Sequence, residues 1–477
     1  MSKRKKTIEE LLKEALVSEE QQPYEIPGNW VWTKVGEIAN YHNGKGFKST
    51  EWSNKGRPII RIQDLTGTNK GEPNYFEGQV AEKHEIKEGD LLISWSATLG
   101  VYIWNGPEAV LNQHIFKAES FIDKKYHYYA MKRIIASLHN QTHGSGMVHV
   151  TKKIFQETPF PLTNIKEQRR IAEKLDRLFN KIEEAKTLIE EAKVTFELRR
   201  AAILDKAFRG ELTSKWRAEN PQKISVLANK IDEISLEDKN MEGDSSIPEK
   251  SIPNSWKWVL SNDLFSFVTS GSRGWAKYYD DEGDFFIRVG NLNHQSINID
   301  LTNQQKVSPP KGTEGIRTLV QEGDILISIT ADIGRIAVVP KEFPTAYINQ
   351  HVALARPISS YCSEYIAWFL SSRNGGRLQF DRLQRGATKA GLGLSDIKNV
   401  WVPIPCLEEQ YEIINKIEII FKKFEVAEEN LINTLKTCEE LKISILAKAF
   451  RGELGTNDPA EESAIELLKE VLQEQVK

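Results

Sequence analysis

Histidine stands at matched positions in two copies of one short string, Asn112-Gln113-His114 and Asn349-Gln350-His351. An imidazole can ligate zinc or transfer a proton in catalysis. Neither histidine, however, has a second histidine or a carboxylate at the spacing that a zinc site requires. The string therefore favours a structural histidine held by hydrogen bonds, with a zinc or acid–base role as the alternative.

Other catalytic signatures are missing where the sequence would show them. The chain has no G-x-x-x-x-G-K-[ST] phosphate loop, no G-x-G-x-x-G after a strand, and no Asn-Pro-Pro-aromatic or Asp-Pro-Pro-aromatic string. Glu85-Ile86-Lys87 is similar to the end of a nuclease motif but lacks a preceding Pro-Asp, so we interpret it as a solvated charge run. The three cysteines are scattered, which predicts neither a disulfide framework nor a metal site.

The charge and hydropathy of the chain limit which kinds of partner it could bind. The net charge is −3, yet residues 41–160 and 253–405 are mildly basic, and the acidic excess lies in residues 211–252 and 453–477. Basic domains with acidic connectors are compatible with DNA binding. No apolar run is long enough to cross a membrane, and the basic start leads into an amphipathic helix, so we expect a cytoplasmic protein without a membrane partner.

The elements that would position any site come from a tandem duplication. Residues Ile203–Leu212 and Ile445–Leu454 are identical except for Asp205 in the first copy and Ala447 in the second. Repeats of this kind define the architecture. The N-terminal string Glu10–Leu16 also reappears near the end as Glu466–Leu472, which suggests a cyclic arrangement, with two unrelated surface helices as the alternative.

Each repeated string ends a long helix with a heptad pattern of apolar residues. We expect these helices of about 44 residues, roughly 65 Å long, to pair as an antiparallel coiled coil, the alternative being that each packs on its own domain. The apolar positions are Ile171, Leu175, Leu178, Ile182, Ala185, Ile189, Ala192, Phe196 and Ile203 in the first helix, and Ile413, Ile417, Ile420, Phe424, Ala427, Leu431, Cys438, Leu441 and Ile445 in the second.

The region before each helix is a β-rich α+β domain, and the two domains share short strings while differing between them. Predicted strands are Pro58–Ile62, Leu91–Trp95, Phe285–Val289, Ile325–Ile329 and Ile336–Val339, and predicted helices cover Phe121–His139 and Cys362–Arg373. The shared strings are Pro27-x-x-Trp30 and Pro253-x-x-Trp256, Ile60–Leu65 and Ile287–Leu292, Gly89–Ser94 and Gly323–Ser328, and the two Asn-Gln-His strings. A shared scaffold with different loops suits two modules with one task and two targets.

Together these strings resemble the specificity subunit of type I restriction-modification enzymes over the full length of the chain. The resemblance implies two target recognition domains, each recognising half of a bipartite double-stranded DNA sequence, held apart by two helices that dock two methyltransferase subunits and, through them, restriction subunits. It also implies a non-enzymatic chain that binds no cofactor, with S-adenosylmethionine, ATP and Mg expected in partner subunits. The alternative from another class is a coiled-coil scaffold for protein interactions without DNA specificity.

This interpretation divides the chain into seven parts. They are an N-terminal helical segment (1–22), recognition domain 1 (23–164), long helix 1 (165–212), a linker (213–250), recognition domain 2 (251–406), long helix 2 (407–454) and a C-terminal tail (455–477).

Residues that contact DNA are expected on loops where the two copies differ, because the copies would recognise different bases. Arg61 and Arg288 are shared inside predicted strands, so we expect them to hold the scaffold. The predicted DNA-binding residues are Lys45, Lys48, His143, Ser145, Lys152 and Lys153 in the first domain, and Ser272, Arg273, Lys277, Gln384, Arg385, Thr388 and Lys389 in the second.

Overall fold

The computed structural model describes residues 6–96, 98–141, 151–223, 251–271, 273–309, 312–384 and 391–476. The chain divides into two compact units. Unit 1 comprises Met1–Ile189 and Ile432–Lys477, and unit 2 comprises Glu190–Leu431. No helix within the described residues is both long and apolar enough to span a membrane.

Unit 1 is built on two four-stranded sheets and a two-stranded ribbon. In the first sheet Ala39–Asn43, Ile115–Ser120, Leu91–Ser94 and Gly100–Ile103 lie antiparallel in that order. The second sheet has the order Tyr75–Phe76, Arg57–Ile60, Ala109–Leu111 and Glu85–Ile86, with its central pair parallel. Val31–Lys34 pairs with Pro159–Leu162 in the ribbon.

Unit 2 repeats this plan with one strand fewer. Its first sheet has the antiparallel order Phe265–Ser270, Val352–Pro357, Ile325–Ser328 and Ile336–Val338. The second sheet has the order Lys306–Val307, Tyr279–Ile287 and Ala346–Ile348. Lys257–Leu260 pairs with Trp401–Ile404 in the ribbon.

A long helix follows each domain, at Ile165–Phe208 and Leu407–Ala449, so the predicted α+β class is confirmed. The shorter helices of unit 1 are Ile8–Ala15, Ile62–Leu65, Lys124–Gln141, Lys152–Glu157 and Ala464–Val476. Those of unit 2 are Ser214–Glu219, Ser261–Leu264, Thr313–Thr318, Ser363–Ser371, Gly376–Leu383 and Leu394–Lys398.

The first turns of each long helix pack on the domain that precedes them. Ile171 and Leu175 are fully buried in the core of unit 1. In unit 2, Phe421 is buried and its ring lies 5.1 Å from that of Trp368. Phe421 is outside the predicted heptad positions, whereas the predicted Leu441 is 47% exposed. The heptad prediction was wrong at these two positions, and at Phe421 packing against Trp368 of the preceding domain overrides the coiled-coil pattern.

Within unit 1 the C-terminal part of the second long helix runs antiparallel to the N-terminal part of the first. Glu183 forms an ion pair with Lys442, and Lys186 forms one with Glu439. The residue number rises on one helix as it falls on the other, which defines the antiparallel direction.

The same pairing occurs inside unit 2 with the helices exchanged. Phe196 lies 5.4 Å from Phe424 between ring centroids. Arg200 forms an ion pair with Glu428 at 3.1 Å, and its guanidinium lies 5.0 Å from the ring of Phe421. Each unit therefore combines the start of one long helix with the end of the other.

The segment after each long helix closes a unit around a buried glutamate. In unit 2, Glu409 accepts hydrogen bonds from Thr213 Oγ1 at 2.6 Å and from Trp256 Nε1 at 3.0 Å, and it pairs with Arg217. In unit 1, Glu167 accepts one from Thr456 Oγ1 at 2.7 Å. The two units thus use equivalent glutamates at the starts of the two long helices.

The C-terminal tail packs on the N-terminal segment of unit 1. Ala15 shares one hydrophobic core with Ala464 and Leu468. Asn29 Nδ2 and Trp30 Nε1 donate to Asn457 Oδ1 at 3.1 and 3.2 Å. The helix that begins at Ala464 therefore completes the unit to which the N-terminus belongs.

Candidate nucleic-acid interface

The repeated Gly-Asp string begins the central strand of each domain. Gly89 and Gly323 have φ of +84° and +80°, a conformation that favours glycine. The carboxylate of Asp324 accepts a hydrogen bond from Gln321 N at 2.7 Å and pairs with Arg356 at 2.7 Å. The strands that follow are fully buried, so the turn fixes where they start.

Each strand ends in a tight loop held by its last residue, a serine. Ser94 Oγ donates to Thr98 O at 2.6 Å, and Ser328 Oγ donates to Asp332 O at 2.5 Å. In the second loop Ala331 has φ +66°, which a residue other than glycine rarely adopts. The shared string therefore forms the same kind of loop in both units.

The Asn-Gln-His turn lies against a glycine in each unit. A Cβ on Gly44 would lie 2.1 Å from Asn112 O, and one on Gly271 would lie 2.2 Å from Asn349 O. Only glycine permits this approach. The loops predicted to bind DNA after Gly44 and Gly271 therefore start at the Asn-Gln-His turn.

Hydrogen bonds hold His351 in unit 2. Its Nδ1 lies 2.6 Å from Thr330 Oγ1, and its Nε2 lies 2.9 Å from Gln350 Nε2. Thr330 also forms a β-bridge with Gly391. These contacts agree with a structural histidine. Across the described ranges, no three His, Cys, Asp or Glu side chains are grouped as metal ligands would be.

Four loop segments thus converge on one side of unit 2. They are the loops that begin at Gly271, at Thr330 and at Asn349, together with the short segment at Gly391, joined by the contacts above.

Beside the Thr330 loop lies a charged cluster in which only Arg377, part of a basic stretch of the sequence, was expected to contact DNA. Asp332 pairs with His294 at 2.8 Å and with Arg335 at 2.5 Å, and Arg377 lies 3.1 Å from His294 Nδ1. Burial raises the pKa of Asp332, but hydrogen bonds from His294 and Arg335 outweigh it and hold the pKa below its ordinary value. The cluster carries two arginines for one carboxylate. Only folding brings these residues together, because they come from three separate stretches of the chain.

The predicted residues of the first domain differ in their availability. The ammonium of Lys45 pairs with Glu51 at 2.6 Å and lies 4.8 and 4.7 Å from the rings of Phe47 and Phe76. Its charge therefore already has an intramolecular partner. By contrast, Lys48, Lys152 and Lys153 are exposed.

The described predicted residues of the second domain are Arg273, Lys277 and Gln384. Arg273 and Lys277 are exposed, and Lys277 lies 4.8 Å from the ring of Tyr278. Gln384 Nε2 donates to Asp381 at 3.2 Å. Outside the described residues lie His143, Ser145, Ser272, Arg385, Thr388 and Lys389.

Arg61 and Arg288 lie just beyond their strands, not inside them as predicted, because each begins a helical turn. The backbone N–H of Arg61 donates to Asp64 at 2.8 Å, and its guanidinium lies 4.5 Å from the ring of Trp52. The N–H of Arg288 donates to Asn291 at 2.9 Å. Both arginines therefore cap a turn that follows a core strand.

Comparison with known proteins gives a consistent family. The model described as "Type I restriction modification DNA specificity domain" matches residues 27–194 and again 254–437. The chain is 29% identical to the type I restriction enzyme EcoBI specificity subunit of Escherichia coli over 90% of this chain and 87% of that protein. It is 22% identical to the MjaVIII specificity subunit of Methanocaldococcus jannaschii, over 84% and 88%.

Solved structures share the fold. A chain from a study of complex assembly and conformational transition of the type I R-M system has a TM-score of 0.64 at 19% identity, covering 91% of this chain and all of that one. The HsdS subunit of Thermoanaerobacter tengcongensis has a TM-score of 0.54 at 20% identity, with the same coverage. The family match spans well over half of the sequence. The chain therefore belongs to the type I restriction-modification specificity subunits, as a non-catalytic member with two specificity domains.

Proposed function

We propose that this chain recognises a bipartite double-stranded DNA sequence, with one half-site for each recognition domain. The observation that carries the proposal is the duplication. Two units share one scaffold, down to the glycine contact with the Asn-Gln-His turn, while the loops that start there differ in sequence and length. Base recognition resides in such loops, because sequence is recognised at base edges while scaffold residues set position.

The DNA-contacting residues of unit 2 are proposed to surround the convergence of the four loops. Arg273 and Lys277 offer exposed cations there, alongside the predicted Ser272, Gln384, Arg385, Thr388 and Lys389. Arg377 adds a guanidinium group that suits phosphates and guanine edges, while Arg335 positions the Thr330 loop through Asp332. In unit 1 the predicted set is Lys45, Lys48, His143, Ser145, Lys152 and Lys153, of which Lys45 is proposed to position its loop through Glu51.

The long helices are proposed to set the unrecognised spacer and to dock two methyltransferase subunits, through which restriction subunits join. Large apolar side chains remain exposed along both helices, and surfaces of this kind mark protein contacts. They are Leu188, Val194, Leu198, Ile419, Val426, Ile432, Leu441 and Ile443. The chain itself is proposed to bind no cofactor, with S-adenosylmethionine, ATP and Mg held by the partner subunits in the cytoplasm.

Selection from a random duplex library tests the proposal against the alternative of a protein scaffold. The chain assembled with its methyltransferase subunits should enrich duplexes with two defined blocks separated by a spacer of fixed length and undefined sequence. Enrichment of one continuous block, or of none, would contradict bipartite recognition. The methyltransferase subunits alone serve as the control and should enrich no such pair.

A further inference from the structure

Unit 1 contains a cavity of about 420 Å³ beside the ribbon of Val31–Lys34 and Pro159–Leu162. Tyr24 and Trp32 form its aromatic wall, with ring centroids 4.8 Å apart and Trp32 Nε1 donating to Tyr24 O at 3.2 Å. Ile134 and Pro159 contribute further apolar surface. The volume lies in the range of small-molecule sites, about 300 to 1,000 Å³.

Arg133 lines this cavity, and a second arginine, Arg451, lies near the same tyrosine ring. The guanidinium of Arg133 is 4.4 Å from the ring centroid of Tyr24, and that of Arg451 is 5.7 Å from it. Burial raises the pKa of Tyr24 to about 12, so the phenol is neutral at physiological pH. Glu157 also lines the cavity but forms an ion pair with Lys34 at 2.8 Å. Within the described residues, neither arginine forms an ion pair. The cavity therefore carries excess positive charge.

The duplication explains why Arg451 has no aspartate partner on its own helix. Its counterpart in unit 2, Arg209, pairs with Asp205 at 3.0 Å and with Glu211 at 3.1 Å. Ala447 replaces that aspartate in the second copy, and this is the single difference between the two ten-residue strings. The one change in an otherwise preserved repeat thus removes one of the two acidic positions beside the arginine, whereas Glu453 keeps the position of Glu211.

In unit 2, a helix covers the position that corresponds to this cavity. The strand register matches Pro159 with Trp401, whose backbone N–H donates to Gln379 Oε1 at 2.9 Å and whose carbonyl accepts from Gln379 Nε2 at 2.9 Å. The helix Gly376–Leu383 supplies that glutamine. The cavity is therefore a local feature of unit 1 and not a consequence of the shared scaffold.

We propose that this cavity is a binding site for a small planar aromatic anion. The aromatic ring would lie along Tyr24 and Trp32, and its carboxylate or phosphate would face Arg133 and Arg451. Guanidinium groups bind both anions through paired N–H donors, and aromatic walls favour flat apolar bodies. The helix Lys152–Glu157 supplies Ile154 and Glu157 to the cavity and also carries the proposed DNA-contacting Lys152 and Lys153, so a bound ligand would lie next to part of the DNA-contacting set.

Calorimetric titration of the full chain tests the site with two matched pairs of probes. Indole-3-acetate is compared with neutral indole-3-acetamide, and adenosine monophosphate with adenosine, which separates carboxylate from phosphate ligands. We expect the anion to bind about tenfold more tightly than its neutral partner in at least one pair, as one charge-assisted hydrogen bond provides. Equal affinity within both pairs, or no binding of any probe, would overturn the proposal.

Two variants assign the binding to the arginines. Ala447→Asp restores the aspartate at a half-buried position of the helix, and Arg451→Gln removes the charge. Each should abolish most of the tenfold preference. Arg209→Gln changes the equivalent arginine of unit 2 and serves as the matched control with unchanged binding. A preference that persists in both Ala447→Asp and Arg451→Gln, with unchanged melting temperatures, would place the anion elsewhere.

Discussion

Arg170 joins the C-terminal tail to the start of the first long helix, and its removal should loosen unit 1. Its guanidinium donates to Glu461 at 2.9 and 2.5 Å, to Glu167 at 2.8 Å and to the carbonyl of Thr456 at 3.0 Å. Glu167 is fully buried, and burial raises its pKa. Arg170→Met would therefore leave a buried carboxylate without its cation.

The size of the effect follows from burial. Breaking a fully buried ion pair costs about 3–5 kcal/mol. The side chain of Arg170 is 38% exposed, so solvent screening reduces its share. We expect a loss of about 2 kcal/mol in the free energy of unfolding, or ~4–8 °C in the melting temperature of a unit of this size.

Thermal unfolding and limited proteolysis measure this loss. Arg170→Met should lower the first melting transition and expose residues 455–463 to proteases. Arg169→Met is the matched control, because Arg169 is an exposed neighbour on the same turn, and it should change neither readout. Identical melting and cleavage for the two variants would show that Arg170 does not anchor the tail.

Three further outcomes are expected. Changing Arg385 and Lys389 together to Ala should flatten the dependence of the log DNA-binding constant on log salt by ~1 to 2, since each phosphate contact contributes about 0.9. Arg288→Ala should instead lower the melting temperature and leave the slope unchanged. Equal slopes for the double variant and wild type would remove this loop from the interface. Burial lowers the pKa of His127 to about 3, so the stability linked to its neutral form is complete above the unfolded pKa near 6.5 and is lost as the pH falls toward 3. His127→Gln should therefore reduce the loss of unfolding free energy between pH 7 and 4.5 by about 2 kcal/mol. Parallel pH profiles of the two proteins in urea titration would contradict this. Inserting one heptad near Ala185 and near Ala427 should lengthen the unrecognised spacer by ~3 base pairs, from ~1.5 Å per helical residue and ~3.4 Å per base pair, and an unchanged spacer in an active variant would show that the helices do not set it.

The long helices and central strands were predictable because their patterns are local. A run of buried residues such as Leu91–Ser94, introduced by Gly89 with a positive φ, is determined by neighbours in sequence. The predictions were wrong where contacts formed only in the folded chain determine where an element ends. Arg61 and Arg288 follow apolar residues in sequence, but the acceptors of Asp64 and Asn291 turn the chain into a helical cap, so each strand ends two residues earlier than the pattern predicts.

The candidate site was less predictable, because charge alone does not show which cations are free. Lys45 fits a DNA-binding loop by sequence, but Glu51, six residues on, neutralises it. Arg377 belongs to a basic stretch of the sequence suited to phosphates, whereas Arg335 was missed because no sequence pattern links the two. The turn at Ala331 and the helix Gly376–Leu383 bring them to His294 and its partner Asp332. The exchange of Asp205 for Ala447 was visible in the sequence, but its effect on Arg451 required the fold.

Mapping methylated bases after a domain exchange tests the central claim most directly. Residues 41–160 would be replaced by the equivalent region of another specificity subunit, and the hybrid expressed with its methyltransferase subunits. One domain per half-site predicts that one half of the methylated sequence changes to that of the donor, while the other half and the spacer persist. A hybrid that methylates DNA with both halves changed, or with neither changed, would contradict the account.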